Sequence, residues 1–268
     1  MTRSADLWDK SLWYATAEEP DPGSDAPADA RVLVVGGGFT GLSTALHLAE
    51  RGVRVTLIEA EKIGYGASGR NGGQVIPGLK VDPAEMRARW GSEAGGRLVD
   101  FAGGVADRVF DLVGRYGIAC GASRNGWIQG AHSMLALKAV HARAREWEAE
   151  GAPVEVYDAQ AMASATGAVG YTGGWRDMRA GMLNPLAYAR GLARAARSLG
   201  VSVVTGKRVT AVTRDGAGWK LDLGGETLRG ETVVLATNAY DATLMPKLAR
   251  SILPVQSTVI ATAPLTGN

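Results

Sequence analysis

An α/β fold with a parallel central sheet is what three features of this 268-residue sequence predict. The first is a pair of short β-branched runs, 31–35 and 53–60, separated by one helix-length segment. The second is a strong helix start at Asn184-Pro185, followed by another β-branched run at 201–206. The third is a set of alternating segments, RVTAVTR, WKLDL and TLRG, which reads as an antiparallel ribbon before a further buried strand in ETVVLATNAY.

The elements follow in order. Leu7 to Tyr14 carries Trp8, Trp13 and Tyr14, enough apolar surface to anchor an arm, and EEPDPGSDAPADA reads as an exposed connector. RVLVV is too short for a helix and suits a buried parallel strand. In LSTALHLAERG, Leu42, Ala45, Leu46 and Ala49 recur at helical spacing and Gly52 is the stop. VRVTLIEA is the second strand, completing a βαβ unit. Asp82-Pro83 opens a helical region of weaker periodicity, GWIQG resembles a strand end, 133–151 reads as a helix with a charged outer face, and VEVYD as a short strand. In the helix after Asn184, the stripe Leu186, Ala189, Leu192, Ala193, Ala196 and Leu199 is apolar. Arg190, Arg194 and Arg197 lie opposite and read as solvated surface, and Gly200 ends the helix. The tail, SILPVQSTVIATAPLTGN, is strand-like.

Composition narrows the function classes. An apolar share of 46% and a charged share of 21% are ordinary for a globular protein, and a net charge of +2 implies no polyanionic partner such as nucleic acid. Glycine, at 37 residues, is about twice as frequent as usual. Cys120 is the only cysteine, so no intrachain disulfide or cysteine cluster forms; it reads as a buried structural thiol. His47, His132 and His141 lack metal-ligand spacing, and no metal is expected. No apolar run approaches the ~18 residues of a membrane span, and MTRSADLWDK lacks a signal-peptide core, so the chain reads as soluble and cytoplasmic.

Gly36-x-Gly38-x-x-Gly41 leaves a strand, opens a helix and is followed by Glu59 at the end of the next strand, the context that makes it a dinucleotide-binding, Rossmann-like fingerprint. Gly36 allows the tight turn, Gly38 lets backbone approach a pyrophosphate, and Gly41 lets the helix pack against the strands. The helix N-terminus favours the phosphate, and Glu59 accepts from ribose hydroxyls while repelling a 2′-phosphate. NAD and FAD both carry the ADP moiety, so the unit alone does not separate them. GASGRNGGQV (66–75) adds bare backbone that can approach a ligand closely, successive N–H groups for an anion, and the Arg70 guanidinium for a phosphate or carboxylate.

VVGGGFTGLSTALHLAERGVRVTLIEAEKIGYGASGRNGGQV resembles the N-terminal signature of FAD-dependent amine oxidases of the D-amino-acid oxidase superfamily. The Ser-Gly-Arg-Asn-Gly-Gly stretch is similar to that of its gamma-glutamylputrescine oxidase-like branch, and SLWYATAEEP to that branch's N-terminal arm. NPLAYARGLARAARSLGVSVVTGKRVTAV and ETVVLATNAY resemble its second cofactor-contacting region. The resemblance implies FAD as cofactor. It places Gly36, Gly38, Phe39, Thr40 and Gly41 on the pyrophosphate, with Glu59 and Ala60 at the adenosine. Ser68, Gly69, Arg70, Asn71, Gly72 and Gly73 would continue along the pyrophosphate towards the flavin. Val209 would meet the adenine, and Ala236, Thr237 and Asn238 would lie near the cofactor, Asn238 standing where glycine is commoner and suiting an unusual backbone angle.

The implied activity is oxidation of an amine or amino acid to an imine by hydride transfer to flavin N5, with protein groups supplying orientation and exclusion of water. It requires no particular catalytic side chain, so none is assigned; Arg70, Asn71 and Gln74 are the candidates nearest the reacting centre. Trp127, Trp175 and Tyr171 suit either an amine-binding wall or, more simply, core packing. The organisation the resemblance implies is an arm (1–30), an α/β, Rossmann-like FAD-binding domain with a parallel central sheet (31–117 and 182–250) and an incomplete α+β substrate domain with an antiparallel sheet (118–181 and 251–268). Members of the family are longer, which predicts a truncated module or one half of a two-chain enzyme. Self-association or a complementary C-terminal chain is then expected, with weak FAD binding and little turnover by the chain alone. The alternative function is a catalytically incomplete FAD/ADP-binding subunit; an NAD-dependent dehydrogenase is a third reading.

Overall fold

A computed structural model describes residues 8–240 together with 244, 245, 250–253, 255, 260 and 262. Most of the strand-like tail and the 251–268 part of the expected substrate domain therefore lie outside the described residues. In chain order the elements are α1 (Leu12–Ala15), β1 (Val32–Val35), α2 (Phe39–Ala49), β2 (Val55–Ile58), a 3-10 turn (Ala67–Gly69), β3 (Gln74–Val75), α3 (Pro83–Tyr116), β4 (Trp127–Ala131), α4 (Met134–Ala149), β5 (Val154–Asp158), α5 (Ala159–Thr166), β6 (Gly173–Asp177), β7 (Gly181–Met182), α6 (Pro185–Ser198), β8 (Ser202–Val204), β9 (Ala211–Asp215), β10 (Gly218–Asp222), β11 (Thr227–Gly230) and β12 (Thr232–Leu235).

Two compact units share these elements. The first comprises the described residues up to Gly72, Tyr116–Gly121 and those from Asn184 onwards. Its centre is a four-stranded parallel sheet in the order β12-β1-β2-β8, in register Val34 with Val234 and Leu57 with Val203. Every residue of β1 and β2 is buried, as expected for apolar strands covered on both faces. On one face Leu33, Val35 and Ile58 form a core with Val209, Leu221, Leu223 and Leu228 from the β9–β11 ribbon side. The other face holds α2 and α6, which pack together. Asn184 caps α6, its Oδ1 accepting from the Leu186 and Ala187 amides at 3.1 and 3.0 Å, with Pro185 preorganising the first turn.

The basic face of α6 is only partly solvated: Arg190 is buried, contrary to expectation, Arg197 is half-buried, and Arg194 is exposed as expected. Arg190 is 7% exposed and donates to the Glu19 carbonyl at 3.2 Å; Arg194 pairs with the Glu19 carboxylate; Arg197 reaches Asp25 at 2.5 Å. The acidic connector folds back along the helix instead of standing free, because a run of carboxylates and carbonyls complements three arginines on one helical stripe.

The second unit comprises Gly73–Arg115 and Ala122–Leu183. Its antiparallel sheet runs β4-β6-β5, with α4 packed on it, and β3 pairs with β7. The central strand, GGWRD, carries no alternating apolar pattern in sequence. Its glycines are needed because a Cβ on Gly173 would stand 2.4 Å from the Tyr157 carbonyl oxygen and one on Gly174 2.5 Å from that of Gln129. The sequence-based boundary placed 31–117 in the first domain. Residues 73–115 instead belong to the second unit, since Met86, Val99 and Ala102 of α3 fill one core with Ala131, Val140, Trp147 and Trp175. Helix α3 is interrupted at Gly91, whose φ of 79° is non-helical. Cys120 is buried in the first unit. No helix among the described residues is long and apolar enough to cross a membrane.

Candidate cofactor groove

The parallel sheet creates the site by ending β1 and β2 at the same level. Beyond β1 the chain turns sharply: Gly36 has φ 115°, its amide donates to the Ile58 carbonyl at 2.8 Å, and a Cβ there would lie 2.5 Å from the Ala236 carbonyl oxygen. A Cβ on Gly41 would lie 2.0 Å from the Gly36 carbonyl oxygen, so both glycines are demanded by backbone alone. Gly38 differs. Its Cβ would meet only the Ser68 hydroxyl, at 2.8 Å, a movable group. Helix α2 starts at Gly38 with no side-chain cap; the Phe39 amide donates to Ser68 Oγ at 3.0 Å. The helix N-terminus thus retains the positive end of its dipole for an anion.

Glu59, at the end of β2, stands beside this turn. Its Oε2 accepts from the Gly37 amide at 2.6 Å and its Oε1 from the Glu61 amide at 2.9 Å. Burial pushes its carboxyl above the usual range, and the Glu61 and Gly37 amides pull the other way by stabilising the anion. Each carboxylate oxygen keeps a second lone pair, so the fixed group can still accept hydroxyls from a ribose.

A cavity of about 200 Å³ opens between these elements. Of the residues expected at a cofactor, Gly36, Gly38, Glu59, Ala60, Ser68, Val209, Ala236, Thr237 and Asn238 line it together. Asn238 has φ 50°, the one positive value at a non-glycine among the described residues, the backbone angle anticipated for it. Phe39, Thr40, Gly41, Gly69, Arg70, Asn71, Gly72 and Gly73 do not line the cavity. Phe39 packs its ring on Tyr188 at 5.4 Å, Gly69 packs against Gly64, and Arg70 lies over the Tyr65 ring at 4.7 Å while donating to the Tyr65 carbonyl at 2.7 Å. Gly73 belongs to the second unit, where its carbonyl accepts from the Leu183 amide at 2.9 Å.

Gly66, in the stretch read as bare backbone for a ligand, lines the cavity too; sequence reasoning missed Gly37, Tyr65, Lys207, Arg208 and Tyr240. Lys207 and Arg208 were signalled by adjacency to Val209; Tyr240 has no local signal. Lys207 pairs with Glu226 and Arg208 with Glu61. In the second unit, Trp127 and Trp175 stack edge-to-face at 6.3 Å and border a small cavity of about 70 Å³; Trp175 is 2% exposed, a core position, and Tyr171 is exposed. His47 pairs with Glu50, and among the described residues no group of three or more His, Cys, Asp or Glu is placed to hold a metal.

The residues present fit an ADP-bearing cofactor: a helix start whose cap residue, Gly38, has no side chain, a preset carboxylate, and a turn whose glycines leave backbone bare. Ser68 ties the second glycine stretch to that helix start. Ser68→Ala should leave the half-buried Phe39 amide without its acceptor, at a cost of about 1 kcal/mol, and lower Tm by roughly 2–4 °C. An unchanged melting temperature would show that the contact contributes nothing.

Comparison with known proteins supplies the family. The profile described as FAD dependent oxidoreductase (DAO) matches residues 31–268. The chain is 35% identical over 235 residues to the gamma-glutamylputrescine oxidoreductase of Escherichia coli, covering 86% of this chain and 54% of that protein. It is 32% identical over 247 residues to a probable oxidoreductase, OrdL, of Haemophilus influenzae, covering 88% and 56%. Among solved structures, glycine oxidase from Geobacillus kaustophilus superposes with a TM-score of 0.67 at 24% identity, over 83% of this chain and 59% of that one, which shows the shared fold. The chain thus spans about half the length of the curated relatives it matches. With a dinucleotide-type groove and a family profile running from β1 onwards, the chain belongs to the FAD dependent oxidoreductase family.

Proposed function

We propose that this chain holds FAD in the groove between β1, β2 and the 65–68 loop, and serves the oxidation of an amine or amino acid to an imine. The observation that carries this is the convergence of the Gly36–Gly41 turn, Glu59, Ser68 and Asn238 on one cavity. The name of the relative from Escherichia coli adds an amine as the substrate class. FAD, when bound, supplies the two-electron acceptor. The chain's own residues do the rest. The α2 N-terminus binds the pyrophosphate, Glu59 orients a ribose through its hydroxyls, and backbone at 236–238 closes the groove's other side. Gly38 lets the phosphate approach backbone, because the only group near its missing Cβ is the Ser68 hydroxyl. No catalytic side chain is assigned: these residues would hold the ADP half of the cofactor, and acceptance of the substrate's hydride would be the chemistry FAD supplies.

The test is a titration of the purified chain with FAD and, separately, NADH, followed by fluorescence and visible absorbance. FAD is expected to bind and NADH not to compete. Amines added without oxygen should bleach the flavin band slowly or only with the rest of a full-length relative supplied in trans. Binding of NADH with no response to FAD would sink the reading.

A further inference from the structure

We propose that segment 8–25 is a strap that positions the glycine-rich loop 65–71 beside the groove, and that Trp13 is the positioning residue through which it acts. The proposal rests on the FAD reading above for its consequence, not for its geometry.

The loop is held partly by its own bonds and partly by α6, against which residues 67–69 pack. Residues 67–69 make one 3-10 turn, the Asn71 amide folds back to the Ala67 carbonyl at 3.1 Å, and Asn71 Nδ2 donates to the Ser68 carbonyl at 3.0 Å. Its two glycines, Gly66 and Gly69, lose the most freedom on being fixed, so further external ties help decide how well it is held. One tie is the Phe39 amide on Ser68 Oγ. Another comes from the strap: Trp13 Nε1 donates to the Asn71 carbonyl at 2.8 Å, across 58 residues of sequence. A third is apolar. Trp8, which is buried, packs on the ring of Tyr65 at 5.8 Å, and Tyr65 lines the groove.

The strap can restrain the loop because it is itself anchored elsewhere. Asn184, whose Oδ1 caps α6, uses its Nδ2 to hold the Trp13 carbonyl at 2.9 Å and Thr16 Oγ1 at 3.1 Å. Arg190 lies over the Tyr14 ring at 5.4 Å, and the buried Glu19 carboxylate takes both Arg194 and the Ala119 amide. Trp13 therefore has its backbone fixed to α6 and its indole N–H fixed to the loop. A loop ordered in advance leaves less ordering to the moment of cofactor binding, which raises affinity without any contact to the ligand.

The experiment uses the whole chain and Trp13→Phe, which keeps an aromatic ring and removes the donor. Hydrogen exchange is measured without FAD, and FAD binding separately. In the parent, amides 69–71 are expected to be protected; exchange there at the unprotected rate overturns the proposal by itself. In Trp13→Phe, exchange across 65–72 should rise roughly tenfold with 185–198 unchanged, and FAD affinity should fall roughly three- to tenfold, the worth of one hydrogen bond. Unchanged exchange in 65–72, or an equal rise in 185–198, overturns it. If the parent fails to bind FAD, the cofactor reading falls while the exchange comparison still decides the strap.

Discussion

Gly41→Ala is expected to lower the melting temperature by roughly 6–12 °C and to abolish measurable FAD binding. The added Cβ would stand 2.0 Å from the Gly36 carbonyl oxygen, well inside van der Waals contact. Neither partner can retreat easily. Gly36 is held in its φ 115° turn by the hydrogen bond from its amide to the Ile58 carbonyl, and the Ala236 carbonyl stands where a Cβ of Gly36 would lie. Overpacking usually costs about 1–3 kcal/mol, and a backbone-on-backbone clash belongs at the top of that range because no rotamer change relieves it. Relief requires α2 to move away from β1, which displaces the helix N-terminus from the groove. Thermal unfolding with and without FAD reads both effects; a variant that melts with the parent and binds FAD would show that the turn is far softer than its contacts imply.

The second large effect separates two glycines of one motif. Gly69→Ala should cost about 2–3 kcal/mol, since its Cβ would lie 2.2 Å from the Gly64 carbonyl oxygen and 3.1 Å from Leu186 Cδ1. Gly72→Ala should leave stability within about 0.5 kcal/mol, because nothing lies within 4 Å of its Cβ. The motif Ser-Gly-Arg-Asn-Gly-Gly thus holds one glycine for packing and one that the protein alone does not require. If a cofactor runs along Gly72, its alanine variant will weaken FAD binding at unchanged Tm. Equal stabilities for the two variants would remove the distinction.

Much of the fold was legible because its signals are local. The fully apolar β1 and β2 announce a covered parallel sheet, and the Asn184-Pro185 pair announces a helix start from two adjacent residues. The alternation in 211–230 gave the antiparallel ribbon, now β9 to β11. What was illegible depends on partners far away. GGWRD became the middle strand of the second unit because neighbouring strands approach too closely for side chains at Gly173 and Gly174, a fact about Tyr157 and Gln129 rather than about the pentapeptide. Residues 73–115 joined that unit because the partners of Met86, Val99 and Ala102 lie in 131–175.

The same division holds at the groove. The spacing of Gly36, Gly38, Gly41 and Glu59 is a local pattern, and it determined by itself that a nucleotide-type turn would form between a strand and a helix. Tertiary structure alone decided that Gly36 and Gly41 are forced by backbone while Gly38 meets only the Ser68 side chain, that Arg70 lies on Tyr65, and that Arg190, Arg194 and Arg197 bond to a segment some 170 residues earlier. The physical reason is range. Periodicity, capping and turn chemistry act within about one helical turn, so they can be read along the chain. A carboxylate such as Glu19 finds its arginines only after the sheet and α6 have fixed the surface onto which it folds.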